Sequence, residues 1–163
     1  MTANLLDALH ASGPAPDRAD KLGLYGWLVG RWDMDGVIHF ENGKHEARGE
    51  IHAGWVLEGR AIQDVWIFPG AFYGTTLRVY DPGLDAWHIL WSDPLKQYFT
   101  RQVGRARGDA IVQEGSSDAG ERTRWSVTEL APNSFHWTGE RLVHGDDWAI
   151  EAEFVARRSP CRE

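Results

Sequence analysis

Cysteine is nearly missing from this chain. Its single copy, Cys161, lies in the polar tail Ser159-Pro160-Cys161-Arg162-Glu163, so no internal disulfide can form and a cysteine nucleophile is not expected. Basic excess is missing too. Lys and Arg number 17 against 24 Asp and Glu, and the formal charge of −7 excludes a general nucleic-acid surface. No Lys/Arg-rich run suggests a membrane-surface segment, and no apolar run approaches the length of a membrane span. The N-terminus lacks a basic region followed by an apolar core, so the expected setting is soluble, reducing and cytoplasmic. Gly-X-Ser-X-Gly does not occur, which removes the local signature of a serine-histidine-acid triad. The glycine-rich places fall in hairpins and not before helices, so they do not cradle phosphate. Repeats, linkers and low-complexity segments are lacking as well. The reading is one domain over 1–163, with a helical segment at 1–28 and a tail at 159–163.

What the chain has in quantity is tryptophan, nine in 163 residues. Indoles are large and carry an N–H that wants a partner, so a cluster of them lines a thick core or an aromatic pocket. The organising stretch is Gly30-Arg31-Trp32 and the hairpin it opens. Asn42-Gly43 between two alternating runs is a strong hairpin signal. A turn centred there sets Phe40 opposite His45, Ile38 opposite Ala47, Met34 opposite Ile51 and Trp32 opposite Ala53. Side chains alternate across a strand. Trp32, Met34, Ile38, Phe40, Ile51, Trp55 and Leu57 therefore share an oily face, and Asp33, Asp35, His39, Glu46, Arg48 and Glu50 a wet one.

Before the hairpin, residues 4–12 read as a short amphipathic helix carrying Leu5, Leu6 and Leu9. Ser12-Gly13-Pro14-Ala15-Pro16 breaks it, and Asp17 is placed to cap a second short helix with Leu22, Leu24 and Tyr25. After Gly30 strands are predicted at 31–41, 44–57, 59–68, 74–81, 86–93, 97–107, 110–115, 121–130, 134–143 and 147–157. About ten antiparallel strands joined by tight turns predict an all-β fold, a single up-and-down barrel with short N-terminal helices. In the last hairpin a Gly145-Asp146 turn opposes Trp148 to Val143, Ala152 to Gly139, Phe154 to Trp137, and Glu140 to Glu151.

Gly30-Arg31-Trp32 at the head of the first strand, after a short helix, resembles the Gly-X-Trp signature of lipocalins and, more broadly, the calycin group. That group also holds fatty-acid-binding proteins and nitrobindins. Length and strand number look nearest to nitrobindin-like bacterial calycin domains, and the likeness covers roughly residues 22 to 158. The resemblance implies a structural plug in which Gly30 and Trp32 close the barrel and an arginine after Phe154 packs across the indole. Arg157 is assigned that role, with Arg158 beside it. It also implies a binding function. Nitrobindins hold haem through a histidine in the C-terminal part of the barrel, but the closing strand from Trp148 to Arg158 contains none, with His136 and His144 preceding it. Haem is accordingly disfavoured, and no cofactor is expected.

The expected partner is a small hydrophobic or aromatic molecule inside the barrel, with no nucleic acid and no membrane insertion, and with room left for a homodimer. Candidate ligand-binding residues are Trp55, Gln63, Trp66, Arg78, Tyr80, Trp91, Trp125, His136 and Trp137. The same aromatics could simply fill the core. Gln113 and Arg124 are further polar residues within predicted strands. The alternative is a cofactor-free isomerase, hydratase or decarboxylase using His88, His136 and Glu140, with Arg78, in that cavity. Glu140 beside Glu151 would raise one carboxyl if both were desolvated. A filled structural domain is the plain third reading. No metal is expected, since His39, His45 and His52 do not share a face at ligand spacing.

Overall fold

A computed structural model describes residues 3–160 and shows ten strands in one closed antiparallel barrel. In chain order they are β1 (Gly30–Phe40), β2 (Gly43–Val56), β3 (Ala61–Phe68), β4 (Phe72–Asp81), β5 (Ala86–Asp93), β6 (Tyr98–Arg107), β7 (Ala110–Ser117), β8 (Arg122–Ala131), β9 (Ser134–His144) and β10 (Asp147–Arg158). Each strand pairs with its neighbours in sequence, and β1 pairs with both β2 and β10, so the sheet has no free edge. Two short helices, α1 (Leu5–Leu9) and α2 (Ala19–Gly26), precede the barrel. No described helix is long and apolar enough to cross a membrane. Cys161 lies outside the described residues.

The interior is built by alternation. Trp32 and Met34 on β1, Ile51 on β2, Ile62, Trp66 and Phe68 on β3, and Phe135, Trp137, Phe154 and Ala156 on β9 and β10 are all buried. Inward glycines make room for rings from neighbouring strands. A Cβ on Gly36 would meet Phe154, one on Gly49 Phe68, one on Gly74 Trp91, and one on Gly139 Trp125. Large-over-small packing of this kind lets bulky rings share a confined core.

The first hairpin turns one residue earlier than the sequence suggests. Phe40 pairs with Gly43, so the loop is Glu41-Asn42, and the register is displaced by two residues: Trp32 opposes Ile51 and Ile38 opposes His45. Glu41 and Asn42 keep negative φ, and the positive angle falls on Gly43 (φ 141). A slide of two preserves every face because the side-chain period is two. At the strand ends Phe40 (53% exposed) and Leu57 nevertheless leave the core. In the last hairpin Ala152 does oppose Gly139 and Phe154 opposes Trp137, but a bulge at Glu151 sets Trp148 opposite Leu142 and Glu140 opposite Ile150.

The N-terminal segment also departs from expectation. α1 buries nothing, and Leu5 and Leu6 are exposed; a capping box between Asn4 and Asp7 holds the helix instead. Asp17 does not cap α2. It sits in a 3₁₀ turn (Pro16–Arg18) and accepts from Arg60 at 3.1 Å. Backbone bonds from Ala11 N–H to Trp55 C=O, Leu57 N–H to Leu9 C=O and Ala15 N–H to Gly59 C=O strap the segment across one end of the barrel.

Candidate functional site

The two ends of the barrel are built from different chemistry. At the end where β1 begins, α2 drives Leu22 and Tyr25 inward until both are fully buried. Trp32 lies beneath, its indole N–H donating to Leu28 C=O at 2.8 Å and its ring meeting Trp27 and Phe135 edge-on. Arg158, which pairs directly with Trp32 in the sheet, places its guanidinium 4.1 Å over the indole. It donates to Val29 C=O and Trp27 C=O at 2.9 Å each, and to Pro132 C=O at 3.2 Å. A Cβ on Gly30 (φ 126) would stand 2.7 Å from Arg158 Nη1, so both backbone angle and space require glycine there. The arginine over the plug is thus Arg158 and not Arg157. Arg157 is one residue out of phase, faces solvent and reaches Asp35 at 3.5 Å.

The other end is open. Between the plug and the mouth lies a cavity of about 340 Å³. Its apolar wall is made by Trp66, Phe72, Ile89, Trp91, Trp125 and Trp137, with Ile38 and Phe40 toward the rim. The rings touch one another: Trp66 lies 5.7 Å from Trp137 and 6.3 Å from Trp91, and Trp125 lies 5.9 Å from Trp137. Interleaved with them, as direct cross-strand neighbours of Trp91, Ile89 and Trp125, are the polar floor residues Thr76, Arg78, Thr100, Gln102 and Gln113, each nine-tenths buried or more.

Arg78 is 1% exposed and forms an ion pair with Asp64, which is wholly buried; Asp64 Oδ1 also accepts from Thr76 N–H at 3.1 Å. The Arg78 guanidinium stands 5.4 Å over the Tyr25 ring and 5.8 Å over Trp137. A second chain of bonds runs from Tyr25 Oη–H to Gln113 (2.9 Å), from Gln113 to Gln102 (3.0 Å) and from Gln102 to Thr123 (2.8 Å). Burial pushes the Tyr25 hydroxyl far above its ordinary pKa, against the pull of Arg78, so it remains a donor.

At the rim the β10 bulge turns Glu151 toward the cavity, where Arg141 bonds it at 3.0 Å. Burial holds the Glu151 carboxyl above its usual value despite that arginine. Burial, with the charges of Glu151, Glu121 and Asp118 adding to it, pushes the Tyr98 hydroxyl up to about 12. Asp93 is tied up in the rim turn, accepting from Leu95 N–H and Lys96 N–H.

Of the residues singled out from sequence, Trp66, Arg78, Trp91, Trp125 and Trp137 border the cavity, as does Gln113. The others lie elsewhere. Gln63 is on the outer face and donates to Thr75 at 3.1 Å; its neighbour Asp64 is the inward one. Trp55 packs against α2 near Gly26, and Tyr80 sits at the closed end beside Trp87, donating to Asp85. The three residues proposed for acid–base work all face outward. His88 pairs with Asp81 at 2.8 Å, His136 with Glu129 at 3.1 Å, and Glu140 with Arg124 through two bonds of 2.8 and 3.0 Å. Glu140 and Glu151 do not form a pair, because the bulge separates them and each has its own arginine.

Of the seven histidines only His39 borders the cavity, at the rim, where it bonds Glu153 at 2.9 Å. The floor therefore offers no imidazole to a haem iron. Asp64, Thr76, Thr100 and Gln102 were not singled out from sequence. Both phases of β3 are apolar, Ile62, Trp66 and Phe68 against Ala61, Val65 and Ile67, so the sequence leaves open whether Gln63 or Asp64 turns inward.

No protein-family model matches the chain, and no curated protein does. Among solved structures, the crystal structure of Rv2717c from M. tuberculosis is similar with a TM-score of 0.61 at 15% identity, over 90% of this chain and 99% of that one. The likeness is one of fold.

Proposed function

We propose that the protein is a small-molecule-binding barrel that takes a hydrophobic or aromatic guest into the open end, in the manner of the calycins it resembles. The supporting observation is the cavity itself: about 340 Å³, walled by touching indoles, with a few fixed polar groups among them. Small-ligand pockets fall at roughly 300–1,000 Å³ and have this division between contact area and orienting groups. The acid–base alternative lacks its residues, since His88, His136 and Glu140 lie on the outer wall and only Arg78 is inside.

The test is titration of the purified protein with fused-ring, terpenoid and acyl compounds, followed by intrinsic tryptophan fluorescence. A saturable response with one guest per barrel, weakened by Trp91→Ala or Trp125→Ala, is expected. A panel that gives no saturable response would remove the binding reading and leave a structural barrel.

A further inference from the structure

The cavity floor holds an imbalance between donors and acceptors. Both Asp64 oxygens are engaged, one by Thr76 N–H and the other by Arg78. In the chain from Tyr25 through Gln113 and Gln102 to Thr123, each amide oxygen accepts one bond and each amide nitrogen donates one. An amide NH₂ has two N–H groups and an amide oxygen two lone pairs, so one donor and one acceptor site on each glutamine remain. Reversing both amides would reverse the chain and leave this count the same. The donor excess lies with Arg78: of its guanidinium only Nη1 has a partner among the described residues, and its Nε is buried with none. Buried donors without acceptors are costly, and here they belong to residues that border one cavity.

Charge narrows the complement. Arg78 and Asp64 are 1% and 0% exposed and in contact, so the floor is already neutral. A carboxylate guest would bring an uncompensated negative charge beside the buried Asp64. An uncharged oxygen acceptor takes up the spare N–H groups without that cost. The aromatic wall asks for a conjugated ring beside the acceptor.

Resting on the binding reading above, we infer that the guest is a neutral aromatic carbonyl compound, such as a conjugated ketone, quinone or lactone. Its ring lies among Trp66, Trp91 and Trp125, and its oxygen is directed to Arg78, Gln102 and Gln113.

Three probes of one shape test this in the native protein: 2-acetylnaphthalene, 2-isopropenylnaphthalene (carbonyl oxygen replaced by CH₂) and 2-naphthoate. Fluorescence titration should show the ketone binding at least about tenfold tighter than the alkene, as expected for about one well-placed hydrogen bond. The ketone should also bind more tightly than the carboxylate. In the bound state, the infrared band of the ¹³C-labelled carbonyl should lie below its position in hexane. Equal binding of ketone and alkene, or a band at the hexane position, overturns the inference while the binding reading stands. Tightest binding of naphthoate overturns it in favour of an anion reader. Failure of all three to bind overturns the inference, and the binding reading is then decided by the terpenoid and acyl arms of the wider panel.

Discussion

The closed and open ends of this barrel use the same residue type for opposite purposes. At the closed end Trp27 and Trp32 have their N–H groups satisfied by backbone carbonyls, and Arg158 is locked over Trp32 by three carbonyls of its own. At the open end Trp66 has no partner for its N–H, and Trp91 and Trp125 are only half-buried. Trp87, also at the closed end, shares with Trp66 a buried N–H that has no partner among the described residues, so the ends differ in what surrounds the rings and not in N–H pairing alone. Only the open end presents apolar ring surface to a void. An indole with every contact supplied by the chain stabilises the fold, whereas an indole facing a cavity is available to a guest.

The largest effect that could break this contrast is at the plug. Trp32→Ala should lower unfolding free energy by about 3–5 kcal/mol, the range for truncating a buried aromatic, read by urea denaturation. A loss as small as that of an open-end indole would mean the two ends are not energetically distinct. Arg158→Ala should cost about 2 kcal/mol through its carbonyl bonds and its stacking on Trp32. Arg157→Ala should change stability by less than about 0.5 kcal/mol, as an exposed pair does. Equal effects of the two would undo the assignment of the plug arginine.

Trp91→Ala, at the open end, should cost only about 1–2 kcal/mol because the side chain is half-buried, yet it should weaken guest binding more than Trp32→Ala does when both are measured on folded protein. The smallest effect is at the rim. Glu151 holds its proton more tightly folded than unfolded, because burial lifts its carboxyl above 4.5. Its contribution to stability is therefore complete below the unfolded pKa and is lost as pH rises through the folded one. Subtracting the stability of Glu151→Gln from that of the native protein, from pH 4 to 7, should give a difference that falls with pH. A flat difference would show the rim carboxyl to be fully solvated, and a rising one would show that Arg141 outweighs burial.

Strand number, strand order and barrel class were legible because each strand carries its own alternation and its own turn residues. The register of the first hairpin lies two residues from the one its turn signal predicts, yet the faces of Trp32, Met34 and Ile51 are unchanged, since an even shift keeps parity. An odd shift is what the sequence hides. Gln63 and Asp64 are adjacent polar residues in β3, and which of them turns inward depends on how Ile62 and Trp66 seat against β2 and β4. The bulge at Glu151 was illegible for the same reason: it is set by the closure of β10 against both β9 and β1.

By itself the sequence determined a ten-stranded antiparallel sheet with a Gly30–Trp32 head and an indole-rich interior, because these follow from period-two patterning and local turn chemistry. Only tertiary structure decided that Arg158 covers the plug, that Arg78 meets Asp64 across adjacent strands, and that a void remains among the tryptophans. Those facts depend on which side chains from distant strands share one enclosed volume, and volume is a property of the closed barrel that no single strand carries.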